Sequence, residues 1–327
     1  MKLFQWHFSL YLIPLAFLLP ISNAQARVQC SSANMTPLTF SAVDAQSTQT
    51  DAMATFSIRC ENTLLLQTRS ATICVSIGPD RQMKRGSDTL NFQLYQDPSH
   101  SIVWGSQFSG ASGTPLKFNV TLGPRESKTF PATLYGRVLG GQVAVIPGPY
   151  TKSYPNSSDD ARVTVNAPID NDAPGTCNTN PTGSLYIPFT VEALKIKSCQ
   201  VTTTGDLNFG RVLSGSPATA ISSPNLINVT CTNGTPYNIG LSPSNGNVEG
   251  MGVMKNSAAT NTIPYQLQSN ASGKAWGNKN VTSTNVGNGV AGIGTGIAKG
   301  ETVFATVGNT DVKPDTYSDT VTVHVNY

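Results

Sequence analysis

Apolar and polar residues alternate in short runs along most of the chain. Phe56, Ile58 and Cys60 fall on every second position, as do Leu90, Phe92 and Leu94, then Ile227, Val229 and Cys231, then Ile263, Tyr265 and Leu267. A period of two sets one face of an extended segment against a core and the other in water, the pattern of a half-buried β-strand. Gly, Pro, Asn and Ser separate the runs, and no stretch carries a convincing helical period. The expected fold class is all-β, with short strands stacked as β-sandwiches.

The pattern occurs twice. Cys30 is followed at offsets 8, 10 and 13 by Leu38, Phe40 and Val43, and Cys199 at the same offsets by Leu207, Phe209 and Val212. A second cysteine closes each block, Cys60 after 30 residues and Cys231 after 32. Residues 90–94 then lead to Trp104-Gly105, and residues 263–267 to Trp276-Gly277. Later, Pro149-Tyr150 and residues 162–165 answer to Tyr317 and residues 320–323. The repeat divides 327 residues into two domains, each long enough for its own core. It pairs Cys30 with Cys60 and Cys199 with Cys231, which leaves Cys74 for Cys177.

The two copies end differently. Residues 184–193 alternate once more, with Leu185, Ile187, Phe189, Val191 and Ala193 on one face. They are expected to form a single strand that completes the first sandwich in cis. The second copy stops at Tyr327, directly after residues 320–326, with no further strand. A sandwich without its last strand exposes an apolar groove and unpaired edges, and should aggregate or borrow a strand from elsewhere; the alternative is that residues 199–327 close with an internal hairpin.

The start of the chain reads as a secretory leader: Lys2, a mostly apolar stretch over residues 8–21, and the small-x-small site Ala24-Gln25-Ala26. Residues 1–26 are therefore assigned to a signal peptide, and six cysteines in a secreted chain read as three disulfides. Only Arg27, Val28 and Gln29 then precede Cys30, so the chain is expected to accept a strand without offering one. Charged residues make up 12%, about half the usual share, against 29 glycines and 21 prolines. That composition excludes helical bundles and coiled coils. A net charge of +3 without a basic block argues against a nucleic-acid partner. Cysteine and histidine spacing suggests no metal site, and no cofactor is expected. His100 and His324 are the only histidines after the leader, and no nucleophile elbow or paired-carboxylate motif stands out, so the chain is not read as an enzyme.

The Cys-x7-Leu-x-Phe block, the Trp-Gly step and the closing run of Tyr317, Asp319, Thr320, Val321 and Val323 resemble the spore coat protein U domain family. In the first copy residues 162–165 lack the preceding Asp-Thr. A tandem of two such domains behind a leader is similar to the two-domain tip adhesins of archaic (Csu-type) chaperone–usher pili. The resemblance implies immunoglobulin-like sandwiches: an adhesive domain over residues 27–194 and an incomplete pilin domain over residues 195–327. It also implies a periplasmic chaperone, an outer-membrane usher and an adjacent pilin that donates a strand. The expected location is the tip of a fimbrium, reached through the periplasm, with roles in attachment and biofilm formation.

No family motif fixes the binding residues, so the repeat serves as an internal control. Trp104 is matched by Trp276 and is assigned to the core. Apolar loop residues found only in the first copy are the candidates for contact with an abiotic or host surface. They are Leu64, Leu65 and Leu66 after Cys60, Ile102 and Phe108 beside Trp104, and Val143, Val145 and Ile146 in a Gly/Pro-bounded loop. Exposed apolar loops are costly on a monomer unless they bind something. The leucines are expected at the distal pole, stiffened by the Cys74–Cys177 bridge. The alternatives are a carbohydrate-specific fimbrial lectin using Tyr150, Tyr154 and Asn156, or a structural pilin or coat subunit.

Overall fold

The computed structural model describes residues 28–44, 49–108, 113–155, 160–167, 175–177, 181–222, 224 and 226–327. The leader assigned to residues 1–26 lies outside them, as does Asn156. No α-helix occurs among the described residues.

The first unit contains β1 (Val28–Met35), β2 (Leu38–Val43), β3 (Gln49–Asn62), β4 (Arg69–Ile77), β5 (Gln82–Arg85), β6 (Asp88–Tyr95), β7 (Leu116–Leu122), β8 (Ser127–Leu139), β9 (Gly148–Tyr154), β10 (Ala161–Asn166), β11 (Gly183–Tyr186) and β12 (Phe189–Lys195). One sheet has the order β1-β3-β8-β6-β5-β9-β12-β2 and the other β11-β10-β4-β7. Between them lies one core in which Leu38, Ile58, Ile73, Leu94 and Trp104 are fully buried. Trp104 caps its own polarity there, donating from Nε1 to Val75 O at 2.8 Å.

Residues 184–193 depart from the expected single strand. β11 pairs with β10, while β12 pairs antiparallel with β9 and parallel with β2, in the other sheet. The break falls at Pro188, which has no N–H to continue a ladder. The apolar face survives the crossing: Ile187 is 1% exposed, Phe189 5% and Val191 0%, and Leu185 packs against the same core.

Residues 196–198 join the two units. The second contains β13 (Cys199–Thr203), β14 (Ala218–Ile221), β15 (Ile227–Cys231), β16 (Pro236–Pro243), β17 (Met251–Asn256), β18 (Thr262–Gln268), β19 (Val290–Ile293), β20 (Lys299–Glu301), β21 (Phe304–Val307), β22 (Tyr317–Ser318) and β23 (Val321–Asn326). Its sheets are β13-β15-β20, β14-β21-β18-β17-β22 and β19-β16-β23. Trp276 sits in its core as Trp104 does in the other, donating to Ile239 O at 2.9 Å. Disulfides join Cys30 to Cys60, Cys74 to Cys177 and Cys199 to Cys231. The first and third link directly opposed residues of adjacent strands.

Candidate functional site

A groove of about 1050 Å³ runs along the second unit. Its lining reaches the core: Ile227, Leu241, Leu267 and Val307 border it and are themselves nearly inaccessible to water. Leu207 and Phe209 form one wall, from a stretch between β13 and β14 that belongs to no strand; Val312 and Tyr317 form the other. Tyr265 lines it too, its hydroxyl donating to Asp319 Oδ2 at 2.6 Å. Burial, and then that carboxylate, push the phenol well above its ordinary pKa.

The repeat shows what the groove lacks. Leu38, Phe40 and Val43 are 0%, 1% and 3% exposed, and Tyr150 is 0%. Their counterparts Leu207, Phe209, Val212 and Tyr317 are all half-buried. In the first unit β12 lies between these two sets, with Val191 opposite Leu38 and Ala193 opposite both Phe40 and Tyr150. In the second unit no strand occupies the equivalent position among the described residues.

The surface candidates do not come together. β3 and β8 pair from Gln49 opposite Leu139 to Glu61 opposite Ser127, a length of about 40 Å at strand rise. Leu64, Leu65 and Leu66 follow the far end. Leu65 is 66% exposed and Leu66 90%, while Leu64 is half-buried. The loop is anchored by Asn62, which sequence reasoning missed. This fully buried side chain has Nδ2 within 2.7 Å of Gln67 O, 2.9 Å of Gly123 O and 3.1 Å of Leu122 O, and its Oδ1 accepts from Leu64 N. Arg125 N donates to Leu64 O at 2.9 Å. The only sequence signal was a polar residue at an in-facing strand position.

Ile102 and Phe108 lie elsewhere. Ile102 is half-exposed on a turn closed by Asp97, whose Oδ1 accepts from Ile102 N at 2.7 Å. The same turn carries His100, whose Nδ1 is 3.0 Å from Arg137 Nη2. Phe108 is half-buried under the Arg162 guanidinium, 4.6 Å from the ring centroid. Its N-terminal neighbour Gln107 bonds Ser76, near the end of β4 remote from the leucines.

Val143 and Ile146 face the second unit, while Val145 turns inward. Val143 O accepts from Asn233 N at 3.4 Å, Val145 packs on the first core, and Ile146 approaches Gly234. The Cys74–Cys177 bridge holds residues 175–177 against β4 and β7. Gly175 N donates to Thr72 Oγ1 and Gly175 O accepts from Lys117 Nζ.

The family model for the spore coat protein U domain matches the chain twice, over residues 16–154 and 186–324. The chain belongs to the spore coat protein U family.

The second spore coat U match opens at Tyr186, so β12 belongs to it in sequence while in space β12 fills the first sandwich. No curated protein matches the chain. Among solved structures it is similar to the CsuC–CsuE chaperone–tip adhesion subunit pre-assembly complex of archaic Csu pili of Acinetobacter baumannii, at 17% identity and TM-score 0.49, covering 90% of this chain and 100% of that one. It is also similar to the CupB6 tip adhesin of Pseudomonas aeruginosa, at 11% identity and TM-score 0.33, covering 92% and 94%. A third is CfaE, the adhesive subunit of CFA/I fimbria of enterotoxigenic Escherichia coli, at 11% identity and TM-score 0.29, covering 89% and 91%.

Within this spore coat U tandem, the aromatic residues considered for a sugar platform are core. Tyr150 and Tyr154 are 0% and 1% exposed. Tyr154 stacks on Phe189 at 4.5 Å between centroids, so it holds the completing strand.

Proposed function

We propose that this chain is the tip adhesin of a chaperone–usher pilus. The first sandwich is completed by its own β12 and carries the contact surface. The second accepts a strand in trans, first from a periplasmic chaperone and then, at an outer-membrane usher, from the adjacent pilin. The protein reaches the fimbrium tip through the periplasm and attaches the cell to surfaces, supporting biofilm formation. Its mechanism is strand exchange and apolar contact, with no covalent chemistry.

The observation that carries this reading is the unequal burial of matched residues, Leu38 and Phe40 covered by β12 and Leu207 and Phe209 left half-open. By the repeat, a donor strand would lie parallel to residues 207–212 and antiparallel to the stretch around Tyr317, with apolar side chains on alternate positions. Leu65 and Leu66 supply the contact surface. Burying such side chains against an apolar substrate releases about 25 cal/mol per Å², and a loop pinned by Asn62 loses little further entropy on binding.

The test is to express the secreted chain alone and with an alternating donor strand fused after Tyr327. The expected result is a second sandwich that unfolds at markedly lower denaturant in the chain alone and becomes heat-resistant when the donor is present. Equal stability without the donor would mean that the second sandwich is complete, and the reading would fail.

A further inference from the structure

The loop over residues 140–147 is built as a brace. Gln142 locks its base: the side-chain Nε2 donates to Asn91 O and Leu139 O at 2.9 and 2.8 Å, and Oε1 accepts from Asn91 N at 2.6 Å. Lys195, 2% exposed at the end of β12, donates to Gln142 O at 3.1 Å. Tyr150 Oη donates to Ile146 O at 2.8 Å and closes the other side. A loop held at this many points presents a fixed surface.

That surface meets the second unit at two turns. Asn233 Nδ2 donates to Ala144 O at 2.6 Å, and Asn233 N to Val143 O. Gly296, with φ +78°, lies so close that a Cβ there would come within 2.7 Å of Val143 O. Both turns are anchored at the root of the second sandwich. Gly296 N donates to Cys231 O, and the neighbour of Asn233, Thr232, donates from N to Ser198 O in the linker. The linker itself is bound to the first unit, through Ile196 N to Val43 O at 3.0 Å. The sandwiches are therefore tied twice, by a three-residue covalent link and by a separate polar and van der Waals contact.

We propose that residues 143–146 clamp the two sandwiches into one rigid body, and that the loop serves this purpose in place of surface contact. Two attachment points remove the hinge freedom that one short linker leaves. The clamp then sets the direction in which the leucine pole points relative to the groove.

The test places nitroxide labels on engineered cysteines at Thr55 and Ser257, one exposed site in each unit, and measures their distance distribution in the secreted full chain, alone or bound to its chaperone. The expected wild-type result is a single narrow distance. Gly296→Asn keeps a residue that tolerates positive φ but drives its Cβ into Val143 O; Asn233→Ala removes the 2.6 Å bond. Each should replace the single distance by a broadened or second population. Gly246→Asn, at φ +74° with nothing within 4 Å of its Cβ, should not. A broad wild-type distribution would overturn the proposal, as would a narrow one unchanged in both variants, since the linker alone would then fix the geometry. If Gly296→Asn fails to fold, Asn233→Ala decides.

Discussion

The sharpest test of the open groove is to make the same truncation at both copies of one core position. Phe40 is 1% exposed and lies beside Ala193 of β12. Phe40→Ala should therefore cost the full amount for a buried phenylalanine, about 3–5 kcal/mol. Phe209 is half-buried on the groove wall, so without a donor the same change should cost about 1–2 kcal/mol, in proportion to the area removed from water. A bound donor strand would bury the ring and raise that cost to the value at Phe40. The difference, about 2–3 kcal/mol, must appear as donor affinity, a loss of roughly 30- to 150-fold. The assays are denaturant midpoints of the full chain for each variant, and titration with a synthetic strand carrying apolar side chains at every second position. Phe40→Ala should lower the first transition and leave donor affinity unchanged. Equal costs at the two sites without donor, or donor binding indifferent to Phe209→Ala, would refute the reasoning, because the groove would then be closed or the donor would lie elsewhere.

Two further outcomes are expected. Changing Leu65 and Leu66 to Ser should shift stability by no more than ~0.5 kcal/mol, since both are solvent-exposed, yet abolish most retention on an apolar surface in a flow-cell assay. Unchanged retention with assembly intact would remove the two residues from the contact surface. Tyr154 gives a pH signature: burial outweighs the neighbouring Arg81 and holds its phenol up to about 12. An unfolded tyrosine ionises near pH ~10. Its contribution is therefore intact below that value and is lost as pH rises from about 10 to 12, in total about 2–3 kcal/mol. Tyr154→Phe should make the alkaline fall of the urea midpoint shallower, with Tyr265 and Tyr150, also raised, supplying what remains.

Much of the fold was legible because strand burial writes itself into a period of two, and a repeat supplies its own alignment. The matched tryptophans, the opposed cysteines and the alternating residues 184–193 all report contacts within one sandwich. What the sequence could not carry was the destination of loops. Three apolar stretches peculiar to the first copy were all candidates for contact, yet one follows the far end of β3, one lies on the Asp97 turn and beneath Arg162, and one meets the second unit. Apolar character says that a loop wants cover; only the arrangement of sheets says whether a neighbouring domain already provides it. Asn62 was missed for a related reason. A polar residue at an in-facing position breaks the alternation, and its value appears only when three carbonyls converge on it.

The crossing at Pro188 joins two roles that the sequence had kept apart. β12 fills the first groove and, three residues later, becomes the first strand of the second sandwich. The strand that completes one domain is thus also the attachment of the other. Tension between the units along the chain would load β12 parallel to its own axis, in shear across seven residue pairs with β9 and a second ladder with β2. Ladders loaded in shear must yield many hydrogen bonds together, whereas a hairpin peeled from its end yields them one by one. The buried Phe189, Val191 and Lys195 would have to leave the core at the same moment. A first sandwich completed from within is therefore hardest to open along the direction in which its neighbour pulls.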